Sequence, residues 1–90
     1  MNRQELISAL QKKYPSRVFR TTEEFDGMED GVWVSGEDSG EKTPLFNYYS
    51  QDRIQKSYKR GVKVSLHNWL EKRGWYCEWH DAGTVMMWEL

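Results

Sequence analysis

Apolar residues recur at helical spacing from the start of the chain. Leu6, Ile7, Leu10 and Tyr14 share one stripe of a 3.6-residue repeat. Asn2 stands at an N-cap position, and Glu5 three residues later completes a capping box. The pattern predicts a helix from about Asn2 to Lys13. Pro15 ends it, because a residue before proline resists helical dihedrals. RVFRTT (17–22) has strand composition, with Val18 and Phe19 on opposite faces. EEFDGMEDG (23–31) reads as an acidic loop with room for one helical turn.

GVWVS (31–35) is a strand by its β-branched and aromatic content. GEDSGEKTP (36–44) is dense in turn residues, and LFNYY (45–49) has strand composition again. Together they predict a hairpin over 31–49 with a long acidic tip. SQDRIQKSYKRG (50–61) fits either a short helix, capped by Ser50 and stopped by Gly61, or an irregular basic loop.

VSLHNWLEKRGW (64–75) carries several helix signals at one set of boundaries. Ser65 is placed as N-cap, with Val64 and Trp69 as a hydrophobic staple. Gly74 falls at the left-handed position past the helix end, and Leu70 and Trp75 at the positions that touch in a Schellman ending. Lys72 and Arg73 suit the negative end of the helix dipole. A helix over about 65–73 follows.

A strand from Trp75 to His80, a turn at Asp81-Ala82-Gly83 and a strand from Thr84 complete the chain. A three-residue loop with glycine in the left-handed region is the preferred fit. It pairs His80 with Thr84, Trp79 with Val85, Cys77 with Met87 and Trp75 with Glu89. Trp75, Cys77, Trp79, Val85 and Met87 then line the core face. Tyr76, Glu78, His80, Thr84, Met86 and Trp88 line the other. A two- or four-residue loop slips the register by one and exchanges Trp88 with Met87. The expected fold class is α+β, a single domain over 1–90. A mainly antiparallel sheet of about four or five strands is packed by the two helices, with an acidic loop region at about 23–41.

Composition narrows the setting. Ninety residues form one domain and bury roughly 60–65% of the unfolded surface. Five Trp, five Tyr and three Phe enlarge this small core, since each ring buries ~150–250 Å². The single cysteine excludes an intramolecular disulfide, whereas secreted domains of this size use several. The N-terminal stretch lacks a signal-peptide apolar run, and no segment approaches the ~18 apolar residues of a membrane span. The expectation is a cytoplasmic protein with no membrane partner.

The net charge is −1, but its distribution is uneven. Glu23, Glu24, Asp26, Glu29, Asp30, Glu37, Asp38 and Glu41 follow one another without a basic residue between them. Arg53, Lys56, Lys59, Arg60 and Lys63 dominate the later stretch, with Tyr58 interleaved. Such segregation points to binding surfaces.

Candidate chemistry is sparse. Cys77, His80 and Asp81 suggest a nucleophile, base and orienter, but residues three apart on a strand face opposite ways. Cys77 then packs as a small apolar group. Two histidines and one cysteine lack the paired spacing of a metal site. No phosphate-binding glycine motif or nucleophile elbow occurs, and Gly36–Gly40 carries carboxylates that repel phosphate. No catalytic residue, metal or cofactor is expected.

Protein binding is the leading expectation. The acidic residues of 23–41 suit a basic partner surface, and Tyr76, Met86 and Trp88 are of types enriched at interfaces. Self-association through the hairpin face is a variant of the same idea. The alternative is nucleic-acid binding, with Arg53, Lys56, Lys59, Arg60 and Lys63 on phosphates and Tyr58 stacked on a base. An aromatic-rich, motif-free chain is also the style of many phage accessory proteins, a likeness of type and not of motif.

Overall fold

The computed structural model describes residues 1–37, 44–48 and 58–90. Among them lie α1 (Arg3–Lys13), β1 (Arg20–Thr21), α2 (Glu23–Asp26), β2 (Val32–Ser35), β3 (Tyr58–Lys59), β4 (Val62–Lys63), α3 (Val64–Glu71), β5 (Trp75–Asp81) and β6 (Thr84–Glu89). β1-β2-β6-β5 form an antiparallel sheet, and β3 and β4 form a separate hairpin. The fold is α+β.

α1 starts as its sequence predicts. The Asn2 side chain accepts from the Glu5 amide at 2.9 Å, and Glu5 Oε1 accepts from the Asn2 amide at 3.0 Å. Two of the helix's orphan amides are thereby satisfied. Leu6 and Leu10 are fully buried. Gln11 then fastens the next segment: its amide nitrogen donates to the Arg17 carbonyl, and its Oε1 accepts from the Phe19 amide at 3.1 Å.

Strand register explains the core. Val32 pairs with Met87 and Met87 with Cys77; Val34 pairs with Val85 and Val85 with Trp79. These rows share one face. Leu6 and Leu10 of α1, Leu66 and Leu70 of α3, and Leu45, Phe46 and Val62 pack against it. Trp75 is fully buried there, and its indole N–H donates to the Met1 carbonyl at 2.9 Å. Cys77 is half-buried and packs against this core, and desolvation pushes its thiol pKa up to about 12. That disfavours the thiolate a nucleophile needs.

Several expectations need correction. No 31–49 hairpin forms among the described residues: β2 pairs with β1 and β6, and Phe46 makes only a single bridge, to Val62. The reason lies in β6. Thr84, Val85, Met86 and Met87 are all buried, so β6 needs covering on both edges and both faces, and β2 supplies one edge. Leu45 and Phe46 bury their side chains without a ladder. Within the acidic 23–41 region, the expected helical turn is α2 and the expected strand at 31–35 is β2; residues 38–41 lie outside the described residues.

Ser50 and the rest of 50–57, read as a short helix or a basic loop, lie outside the described residues; Gly61 follows the strand β3 and is not a helix stop. With Arg60 it forms the two-residue turn of the β3–β4 hairpin, where both residues have positive φ (52° and 78°). A type I′ turn requires that pair of conformations. The hairpin runs directly into α3, so Lys63, not Ser65, occupies the N-cap, and no side chain bonds there. Tertiary continuity overrides the better capping residue. The far end of α3 follows the sequence. Gly74 has φ 83°, Arg73 donates to the Trp69 carbonyl at 3.0 Å, and its guanidinium lies 4.0 Å from the Trp69 ring centroid.

The C-terminal pairs Trp75–Glu89, Cys77–Met87 and Trp79–Val85 form as predicted. The tip differs. Asp81, not His80, pairs with Thr84, leaving His80 in a bulge and Ala82-Gly83 as the loop. The bulge absorbs one residue, so the expected register survives a shorter turn. The Gly83 amide donates to Asp81 Oδ1 at 2.9 Å. That bond above all, with the Thr84 hydroxyl next, holds the Asp81 carboxyl below its ordinary pKa.

Candidate protein interface

The reverse face of the sheet carries the residues singled out in the hairpin. Its rows follow from register. Arg20 pairs with Trp33, Trp33 with Met86 and Met86 with Glu78; Trp88 pairs with Tyr76. Trp33, Trp88 and Tyr76 are half-buried, but Met86 is 1% exposed. Met86 is therefore a core residue, and its place as a partner contact is corrected.

The acidic segment reaches across this face. The Phe25 ring of α2 lies 5.1 Å from Trp33 and 5.2 Å from His80, edge-on to the latter. Trp33 is on β2 and His80 on β5, so Phe25 lies across the central strand β6. Strand alternation puts Phe25's partners on the face opposite the helices. A short acidic helix, not α1 or α3, closes this side.

The chain is fastened there at Gly31. Thr22 donates its amide to the Gly31 carbonyl at 3.0 Å, and the Gly31 amide donates to Thr22 Oγ1 at 3.0 Å. A Cβ on Gly31 would lie 2.5 Å and 2.7 Å from two Trp88 ring carbons and 2.9 Å from Thr22 Cγ2. The missing side chain is what seats the indole. Arg3 of α1 adds an ion pair to Glu23 at 2.6 Å and a bond to the Gly31 carbonyl at 3.3 Å.

Electrostatics of the corner follow from these bonds. The Glu23 carboxyl is held below its ordinary pKa, first by its own amide and that of Asp30, then by Arg3. Arg20 reaches Glu24 at 3.6 Å, and Asp26 Oδ1 accepts from the Met28 amide. Among the described residues, the ion pairs of the acidic segment go to Arg3 and Arg20, not to Lys59, Arg60 or Lys63. Glu23, Glu24, Asp26, Glu29 and Asp30 are all exposed, with Phe25 and Met28 exposed among them. Glu37 is exposed at the end of β2; Asp38 and Glu41 lie outside the described residues.

The basic set is less cohesive. Arg53 and Lys56 lie outside the described residues. The Tyr58 hydroxyl donates to the Pro44 carbonyl at 2.6 Å, which ties its ring to the 44–48 segment. Lys59 and Arg60 are exposed on the hairpin, and Lys63 is half-buried.

Sequence reasoning placed the acidic segment and the aromatic face as two surfaces. The signal that joins them is Phe25, an apolar residue amid carboxylates. Cys77 and His80 are kept apart by strand alternation, and His80 instead packs against Phe25. Among the described residues, no three His, Cys, Asp or Glu side chains cluster as metal ligands, and no helix is long and apolar enough to cross a membrane. The chain matches no protein-family model, no curated protein and no solved structure.

Proposed function

We propose that this protein is a non-enzymatic cytoplasmic binding module that docks a basic partner protein on the α2 corner. One observation carries the reading. Phe25 and Met28 stand exposed inside a ring of carboxylates, on a segment fixed to the sheet by Gly31 and Trp88. Exposed aromatic and Met side chains provide apolar contact area, and the surrounding carboxylates steer a basic surface onto it. The cytoplasmic setting rests on the lone cysteine, whose thiol is free.

The test compares wild type with a Met28→Ser/Glu29→Lys double variant, both confirmed as folded by circular dichroism. Each is used for quantitative affinity capture from the source cells at low salt. The expected result is a partner with a basic surface that the variant retains at least about tenfold less well, a change of ~1.4 kcal/mol. Raising the salt should also release it, since exposed charge pairs are screened. An identical captured set for both proteins would refute the reading. Capture dominated by nucleic acid through Lys59 and Arg60 would favour the alternative.

A further inference from the structure

The two edges of the main sheet are finished differently. At one edge β1 is two residues long. Beyond it the buried Arg17 guanidinium donates to the Ser35 carbonyl of β2 at 2.8 Å. That edge is short and capped. At the other edge β5 runs for seven residues. Among the described residues, no backbone hydrogen bond reaches Tyr76–His80 from its outer side. An open row of N–H and C=O groups is a template for another strand.

A cleft of about 520 Å³ adjoins this edge. One wall includes four consecutive residues, Tyr76 to Trp79. Successive strand residues point to opposite faces, so a cavity touching all four follows the edge and not one face. The facing wall comes from the β3–β4 hairpin and the first turn of α3, and it carries Lys59 and Arg60. Neither has an ion-pair partner among the described residues. His67, beside them, is in contact with Glu71. The hairpin is held at its place, because the Trp79 indole N–H donates to the Arg60 carbonyl at 3.0 Å.

We infer that the outer edge of β5 binds an extended acidic segment of a partner protein. The segment adds as a further strand, and its carboxylates face Lys59 and Arg60. Main-chain hydrogen bonds supply affinity, and the cations select the sequence. A second copy of this chain is a poorer occupant. Pairing β5 with itself about a two-fold axis would put both β3–β4 hairpins on the same side of the joined sheet. Their four cations would then lie on that one side, unpaired, among the described residues, with any carboxylate of the hairpins. Against the one carboxylate on the strand wall, Glu78, the two cations leave the cleft net positive, opposite in sign to the α2 corner, and the site does not depend on that corner.

The test uses the full chain, ¹⁵N-labelled, and three short peptides that alternate threonine with glutamate, serine or lysine. A fourth is the glutamate peptide with alternate amides N-methylated. The glutamate peptide is expected to shift the amides of Tyr76–His80 and to bind at least about tenfold more tightly than the lysine peptide. N-methylation should abolish the effect, because it removes the strand donors. A Lys59→Glu/Arg60→Asn variant should reverse the order of the charged peptides, whereas Met28→Ser/Glu29→Lys should leave it unchanged. No shift at Tyr76–His80 with about 1 mM peptide would overturn the inference. So would equal binding of the N-methylated peptide, or a dimer in sedimentation that protects those amides.

Discussion

Replacing Gly31 with alanine tests how the acidic segment is fixed to the sheet. Its φ lies outside the left-handed region, so backbone freedom is not why glycine stands there. Space is. The new methyl would stand 2.5 Å and 2.7 Å from the Trp88 ring and 2.9 Å from Thr22 Cγ2, where ordinary carbon contacts are ~3.5–4.0 Å. Thr22 is fully buried, and its amide and hydroxyl are both bonded to Gly31, so it cannot retreat without breaking the pair. The indole or the strand must move. Overpacking of this kind costs about 1–3 kcal/mol. In a domain of this size each kcal/mol lowers Tm by roughly 4–8 °C, so a fall of about 5–20 °C is expected. Thermal and urea melts followed by circular dichroism measure it. A Trp88→Leu background should relieve the crowding, giving a coupling energy of about 1 kcal/mol or more in a double-mutant cycle. A Gly31→Ala protein within ~0.3 kcal/mol of wild type, or strict additivity with Trp88→Leu, would refute the reasoning.

Asn2→Ala removes half of the capping box and should lower stability by about 1 kcal/mol in a urea titration. No measurable loss would mean that α1 is held by packing alone. Arg60→Asn should raise stability by roughly 0.5–1 kcal/mol, because asparagine tolerates the left-handed conformation that arginine adopts at φ 52°. A lower Tm would contradict the turn assignment. The thiol of Cys77 should react with an aromatic disulfide reagent far more slowly in the native than in the unfolded protein. Because folding raises its pKa from 9.0 to about 12, its stabilising contribution is full below pH 9 and declines between pH 9 and pH 12. Cys77→Ala should therefore show a shallower alkaline loss of stability than wild type. Parallel profiles would sink that assignment.

Local signals in the sequence determined a large part of this fold. The capping box at Asn2, the Leu6–Leu10 stripe, the glycine at position 74 and the alternation of the last two strands depend on neighbours within a turn or a pleat. Such features are legible wherever they occur. The core face of the C-terminal hairpin, and so the packing of Cys77 against the core, followed from alternation and a register that the His80 bulge preserved.

Tertiary structure decided what is not local. Which strand lies beside β2 depends on β6, a strand fifty residues further along and apolar on both faces. Ser65 lost its cap because a hairpin enters the helix at Lys63. The candidate interface was visible only as two separate halves, carboxylates around 23–30 and aromatics around 76–88. Phe25 joins them across β6, with Gly31 leaving space for Trp88. Contacts of that kind need complementary shapes brought together by the whole fold, and residue spacing carries no record of them.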